Sequence, residues 1–319
     1  MEKRNHRLWM AALGLGLMVL GVVHANGPRP MDAREVKLLP GSVFYARQEL
    51  HGEGYLAQLE PDKLLFHYRE LAGLPQPEGV TGYGGWDSGF IRGHMAGHYL
   101  SAASRMAVAT GDERYRERVN YMVAELAKCQ EALGLGGYLA AFPTGEFDVV
   151  EGKQGNSAGI AVPYYTIHKI MAGLLDAHDY LGNDQALEIA AKMADYFETR
   201  LAGLSEDEIE RMLRTDGSRN PGNEFGAMSD ALARLYRATG DGRHLSMARI
   251  FNRQWLIEPL AAGEDRLTGL HGNTHIQQVM GIAHVANLTG DETQARAARN
   301  FWRMIVGDRT FVIGGDSFH

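Results

Sequence analysis

The stretch Ala109-Thr-Gly-Asp-Glu-Arg-Tyr115, "ATGDERY", recurs in related form three more times. The other copies are "LGNDQAL" (Leu181–Leu187), "ATGDGRH" (Ala238–His244) and "LTGDETQ" (Leu288–Gln294). Each is a helix-to-helix turn. The glycine (Gly111, Gly182, Gly240, Gly290) ends one helix because it enters the left-handed conformation without a Cβ penalty. The following Asp, or the Asn-Asp pair of the second copy, can cap the next helix by accepting its free N–H groups. The glycines are spaced by 71, 58 and 50 residues. That is too irregular for a strict solenoid and suits helical hairpins with return loops of variable length.

The segments after these turns, Arg114–Gln130, Gln185–Leu201, His244–Leu260 and Thr293–Val306, place apolar residues at steps of three and four, the mark of a half-buried helix. The segments before them, such as "MAGHYLSAASRMAVA" and "IMAGLLDAHDYL", are richer in small and apolar residues, which predicts burial on more sides. An inner and an outer ring of helices follows, so the fold class is all-α.

One helix length upstream of each turn lie unusual polar residues. His94 and His98 precede Gly111 by 17 and 13 residues, His168 precedes Gly182 by 14, and His275 precedes Gly290 by 15. Gly226 and Met228 hold the corresponding place before Gly240. About 14 helical residues span ~21 Å. The turns therefore gather at one end of the inner helices and the polar residues at the other. Helix N-termini carry free N–H groups and partial positive charge, so this end is the expected mouth of a site for a hydroxyl-rich or anionic ligand.

The densest motif is "GYGGWDSGFIRGHMAGHYLSA" (Gly82–Ala102), with Trp86, Asp87, Arg92, His94 and His98. An exposed Trp beside Asp and Arg suits a sugar, with the ring against a C–H face and charged groups on hydroxyls; the alternative is a buried Trp with an Asp–Arg pair that holds the loop. His94/His98 and His271/His275 share i, i+4 spacing, which resembles a zinc half-site. Neither pair carries the Glu of an HExxH motif, and hydroxyl contacts or packed core histidines fit them better. Pro163 is a helix-start residue, followed by Tyr164, Tyr165, His168 and Lys169, one or two of which are expected at the mouth. Glu146 and Asp148 are acids on a Gly- and aromatic-rich return loop, read mainly as solvated. "LSEDEIERMLRTDG" (Leu204–Gly217) reads as a short acidic surface helix. Cys129, the one cysteine, reads as a packed hydrophobe on a helix.

A net charge of −7, a pI near 6.0 and the lack of a basic stripe argue against nucleic acid. Lys3, Arg4 and Arg7, the uncharged run Leu8–Val23 and "VHA" at Val23–Ala25 form the secretory-signal pattern. Residues 1–25 are therefore expected to be removed near Ala25, giving a secreted or periplasmic protein with no membrane contact after cleavage. Residues 26–60 read as an extended lead-in.

Five motifs in order, "YGGWDSGFIRGHMAGHYLSA", "GGYLAAFP", "VPYYTIHKIMAGLLDAH", "EFGAMSDALARLYRATGD" and "HGNTHI", resemble the β-L-arabinofuranosidase-type glycoside hydrolases of families 127 and 146. The resemblance runs from about Val36 to the last residue. It implies an (α/α)6 barrel of twelve helices followed by β-sandwich domains. Residues 61–319 would form an incomplete barrel of about nine helices, with the β-sandwiches absent. It also implies an oligosaccharide or glycan substrate carrying L-arabinofuranose, and retaining hydrolysis by a zinc-held cysteine nucleophile with a glutamate acid/base. Carried over by motif, His168 and His275 match barrel histidines that bind the sugar hydroxyls. Asp87, His94, Trp86 and Asn273 are further expected substrate contacts. Where the family commonly has "GGMNE", this chain has Gly226-Ala-Met-Ser-Asp230, so no direct role carries over to Ser229 or Asp230. The family's acid/base Glu comes just after the glycine pair that matches Gly314-Gly315 in "FVIGGDSFH" (Phe311–His319). Its zinc ligands and nucleophilic Cys come further on, so the catalytic residues are expected beyond His319. The chain is thus expected to be a C-terminally truncated and inactive member, with no catalytic or metal-binding residue of its own. Rival expectations are a non-catalytic sugar-binding barrel and another (α/α)6 carbohydrate enzyme, such as a polysaccharide lyase or an epimerase.

Overall fold

The computed structural model describes residues 31–32, 34–153, 159–160, 162–213 and 224–315. The signal-peptide reading of residues 1–25 lies outside them. So does His319, with the other residues of 316–319 and the expectation that the catalytic residues lie beyond it. All regular elements among the described residues are helical. In chain order they are α1 (Val43–Gly54), α2 (Pro61–Leu71), the short α3 (Gly85–Ser88), α4 (His94–Thr110), α5 (Glu113–Leu133), the short α6 (Gly145–Val150), α7 (Pro163–Leu181) and α8 (Asp184–Leu201). Then come α9 (Glu206–Met212), α10 (Met228–Thr239), α11 (Gly242–Phe251), α12 (Gln254–Ala262), α13 (Gly272–Thr289) and α14 (Glu292–Met304).

The four repeated turns form as the sequence predicts. Gly111, Gly182, Gly240 and Gly290 all adopt φ between 69° and 76°. Asp112, Asn183, Asp241 and Asp291 then accept backbone N–H groups of α5, α8, α11 and α14. Each turn joins an inner helix (α4, α7, α10, α13) to the outer helix that follows. The inner helices pack in chain order, α4 on α7, α7 on α10 and α10 on α13. Most of the core lies between the inner and outer layers and includes Tyr99, Val119, Leu126, Leu174, Met193, Phe197 and Leu232. A second apolar cluster joins α12, α13 and α14.

The inner helices approach until backbone touches backbone. A Cβ placed on Gly97 of α4 would lie 2.1 Å from the Lys169 carbonyl oxygen of α7, and one on Gly173 2.5 Å from the Gly97 oxygen. Beside α10, a Cβ on Gly226 would lie 1.9 Å from the Thr274 oxygen of α13. This explains the small residues of the inner segments better than burial alone does. A side chain at these positions would force whole helices apart.

Two parts of the structure differ from the sequence reading. The lead-in is not extended throughout, because Val43–Gly54 is helical and Ser42 caps it by accepting the Tyr45 N–H at 3.1 Å. Its pattern hid it: Gly52 and Gly54 lower helix propensity, and Val43, Phe44 and Leu50 face solvent. The third outer helix is two helices. Asn252 and Arg253 take extended dihedrals and break the run into α11 and α12. Cys129 is buried on α5, and burial pushes its thiol up to about 11.

The glycine contacts give a direct test. Gly97→Ala should cost about 3 kcal/mol, read as a lower midpoint in thermal unfolding. Gly242→Ala, where a Cβ meets nothing within 4 Å, should be neutral or slightly stabilising. Equal effects would refute the close-contact account.

Candidate active-site groove

A helix carries side chains on one face at steps of three and four. On the inner helices one such face stays polar and reaches water in part, although the other faces are largely buried. It runs through His94, His98 and Arg105 on α4, through Tyr165, Lys169, Asp176 and Asp179 on α7, through Asp230, Arg234 and Arg237 on α10, and through Asn273, Gln277 and His284 on α13. These four faces meet across a shared central groove. His98 Nε2 lies 3.5 Å from the Tyr165 hydroxyl, Lys169 Nζ donates to Gln277 Oε1 at 3.1 Å, and His284 Nδ1 lies 2.5 Å from Asp230 Oδ1.

The two ends of the groove differ in chemistry. Towards the C-termini of the inner helices, Arg105 and Arg234 both bind Asp176, and Arg234 and Arg237 both bind Asp179. Asp176 is almost fully buried, and such a carboxylate needs its guanidinium partners. Towards the N-termini stand imidazoles, a phenol, an ammonium and amides. The His94 ring sits edge-on to His98, with centroids 5.4 Å apart, and 6.0 Å from Tyr165. The Lys169 ammonium lies 4.4 Å from the centre of the Tyr165 ring.

Burial and like charge keep the histidines His94, His98 and His168 of this end neutral, beside the Lys169 cation and the Asp230 carboxylate. Burial, then His98 and Lys169, lower the His94 pKa to about 4. His98 opens to solvent, yet enough protein surrounds it to lower its pKa to about 4, with the Lys169 charge adding to the effect. His168 is buried, and burial first and Lys169 second take it to about 3. Neither ring nitrogen of His168 has a partner among the described residues. Burial lowers Lys169 to about 8, opposed by the carboxylates of Glu224 and Asp230.

The expected site residues separate into groups. His94 and His168 stand at this end of the groove, and Asn273 is exposed on the groove-facing side of α13. Asp87 is buried and its Oδ1 accepts the Met95 N–H at 3.0 Å, which secures the start of α4 in place of a side-chain cap. Trp86 is 68 % exposed on α3, tilted against Phe90 at 6.0 Å. His275 does not join His168. It lies about 200° around α13 from Gln277, buried against Trp255 of the outer layer at 5.6 Å, with Nδ1 3.1 Å from Gln278 Oε1. The residues missed in sequence are Gln277, His284 and Asp230. Gln277 and His284 could have been found by extending the three-and-four steps from Asn273 along α13; Asp230, on α10, is found only through its contact with His284.

The zinc implied by the family resemblance can be tested against the donors present. Among the described residues no three His, Cys, Asp or Glu side chains form a metal-binding group. The one thiol is sealed in α5, an outer helix, with its pKa raised rather than lowered. The described residues do not fit a zinc-thiolate centre.

Comparison with known proteins fits this architecture. The sequence profile of the β-L-arabinofuranosidase GH127 catalytic domain matches residues 35–319. A non-reducing end β-L-arabinofuranosidase of Bifidobacterium longum subsp. longum is 30% identical, over 43% of this chain and 24% of that protein. The structure of a GH127 β-L-arabinofuranosidase from Geobacillus stearothermophilus T6 superposes with a TM-score of 0.54 at 18% identity, covering 87% of this chain and 44% of that one. A second GH127 β-arabinofuranosidase gives 0.53 at 18% identity, covering 90% and 42%. The chain therefore spans less than half the length of these relatives, and by its profile match it belongs to the GH127 β-L-arabinofuranosidase catalytic-domain family.

Proposed function

We propose that this chain binds an L-arabinofuranosyl group of a glycan in the central groove, at the N-terminal end of the inner helices. The observation that carries the reading is the meeting of Lys169, Tyr165, His98 and Gln277, from three different helices, around one solvent-reached space. A furanoside presents hydroxyls that both donate and accept. Neutral imidazoles and the Gln277 amide do the same, and the Lys169 ammonium supplies donors only. His168, buried behind them, keeps both ring nitrogens unpartnered among the described residues. Tyr165 offers a ring face for the C–H side of the sugar, and Trp86 a platform outside the groove for the rest of the glycan.

Hydrolysis needs an acid and a nucleophile flanking the glycosidic bond. Cys129, the only thiol in the sequence, is buried on an outer helix and protonated at neutral pH, so it cannot attack a sugar in the groove. In this reading the 319 residues, Met1 to His319, hold sugar recognition and not the complete chemistry of the family.

Three outcomes follow. Lys169→Met should weaken L-arabinose binding about tenfold, the size of one charged hydrogen bond, measured by calorimetry; unchanged affinity would remove Lys169 from the site. Release of 4-nitrophenol from the aryl β-L-arabinofuranoside should stay at background, and sustained turnover would overturn the recognition-only reading. The third outcome concerns pH. His94 and His168 take up protons near 6.5 when unfolded, but only near 4 and 3 when folded. Stability is therefore present above about pH 6.5 and falls as pH drops towards the folded values. The thermal midpoint should fall between neutral pH and about pH 5, and His168→Asn should fall less; a flat profile in the parent chain would refute the buried neutral histidines.

A further inference from the structure

The central groove is not the only concave surface suited to a glycan. The bend between α11 and α12, with α9 beside it, encloses a groove of about 540 Å³, within the range of small-ligand sites. Its walls include Trp255, Asn252, Arg253, Arg249, Glu206 and Glu210. None of these residues lies on an inner helix, so this groove belongs to the outer layer.

Its chemistry is that of hydroxyl recognition. The Trp255 ring is half-buried and fixed edge-on against His275 at 5.6 Å, which leaves an aromatic surface in a set orientation. The Arg253 side chain is 11% exposed; it donates to the Ile250 carbonyl and is held by the carboxylates of Glu206 and Glu210. Planar amide, guanidinium and carboxylate groups beside an aromatic face make paired hydrogen bonds to vicinal hydroxyls while the ring covers the C–H face. Two guanidinium groups, Arg249 and Arg253, face two carboxylates, Glu206 and Glu210, so the lining charges cancel. That balance favours a neutral ligand over an anion.

Hydrogen-bonding capacity is also left over here. Asn252 Oδ1, Arg253 Nε and Trp255 Nε1 have no partner among the described residues, and Asn252 is only 6% exposed. Its amide nitrogen is already used on Gln294 Oε1 at 3.3 Å. Buried polar atoms are almost always satisfied, and these three, on consecutive or nearby residues, lie buried within the wall of the groove.

We infer that this outer-layer groove is a second carbohydrate-binding site, one that holds a neutral stretch of the same glycan whose arabinofuranosyl group enters the central groove. The ligand class rests on the function proposed above; the site itself rests on the groove. A site of this kind would raise the local concentration of substrate at the central groove by tethering.

The test is affinity electrophoresis of the full chain in gels containing soluble arabinoxylan, a neutral arabinose-substituted polysaccharide. The variants are Arg249→Ala and Ser246→Trp, both exposed residues of the groove, the second placed to fill it, and Lys169→Met in the central groove. Folding of each is checked by thermal unfolding. The inference predicts that both outer-groove variants lose about tenfold in affinity with unchanged thermal midpoints, and that Lys169→Met, whose outer groove is intact, is still retarded. Retardation lost only in Lys169→Met would overturn the second site and leave the proposed function standing. Parent-like retardation in both outer-groove variants, or no retardation of the parent chain, would also overturn it. The weakening of calorimetric L-arabinose binding in Lys169→Met tests the proposed function separately, so the two readings fail independently.

Discussion

The contact on which the rest of this structure depends is that of Gly97 with the backbone of Lys169. With a side chain at position 97, α4 and α7 would have to separate, because its Cβ would lie 2.1 Å from the Lys169 carbonyl oxygen. The residue that Gly97 packs against is the one whose ammonium group enters the groove. The contact that sets the helix spacing thus also sets the height and direction of the central cation. Gly226 performs the matching task between α10 and α13 against the Thr274 carbonyl. Backbone contact of this kind brings four polar helix faces close enough for Lys169 to reach Gln277 and for His284 to reach Asp230.

The groove is electrically divided. At one end Asp176 and Asp179 share three guanidinium groups and hold α4, α7 and α10 together through charge. At the other end burial keeps three histidines neutral and leaves Lys169 poised near pH 8. A fully charged mouth would favour an anion. A largely neutral one with many donors and acceptors favours a sugar, whose hydroxyls gain from paired contacts without the desolvation cost of a charge.

The repeated turns were legible because their chemistry is local: a glycine that must turn left and an acid or amide two or three residues before free N–H groups. The inner and outer layers followed from the same repeat. What sequence could not supply was helix phase relative to neighbours. His275 and Gln277 are two positions apart on α13, yet one faces Trp255 and the other the groove. Asp87 adjoins Trp86, and one of its oxygens serves the start of α4, a role the motif alone does not show. The helix α1 was missed because its apolar residues face water, and the break at Asn252 because nothing in the run α11–α12 interrupts the apolar spacing. Lys169 stood in a quoted motif, but its importance depends on Gln277, 108 residues later.

The central claim is that polar faces of the inner helices converge on one sugar-binding space. A crystal structure of this chain soaked in L-arabinose tests it most directly. The account predicts ordered sugar density within hydrogen-bonding distance, about 3 Å, of Lys169 Nζ, with a ring nitrogen of His98 or His168 on a neighbouring hydroxyl. A saturated crystal in which Lys169 still binds only Gln277, with no sugar between the inner helices, would contradict it.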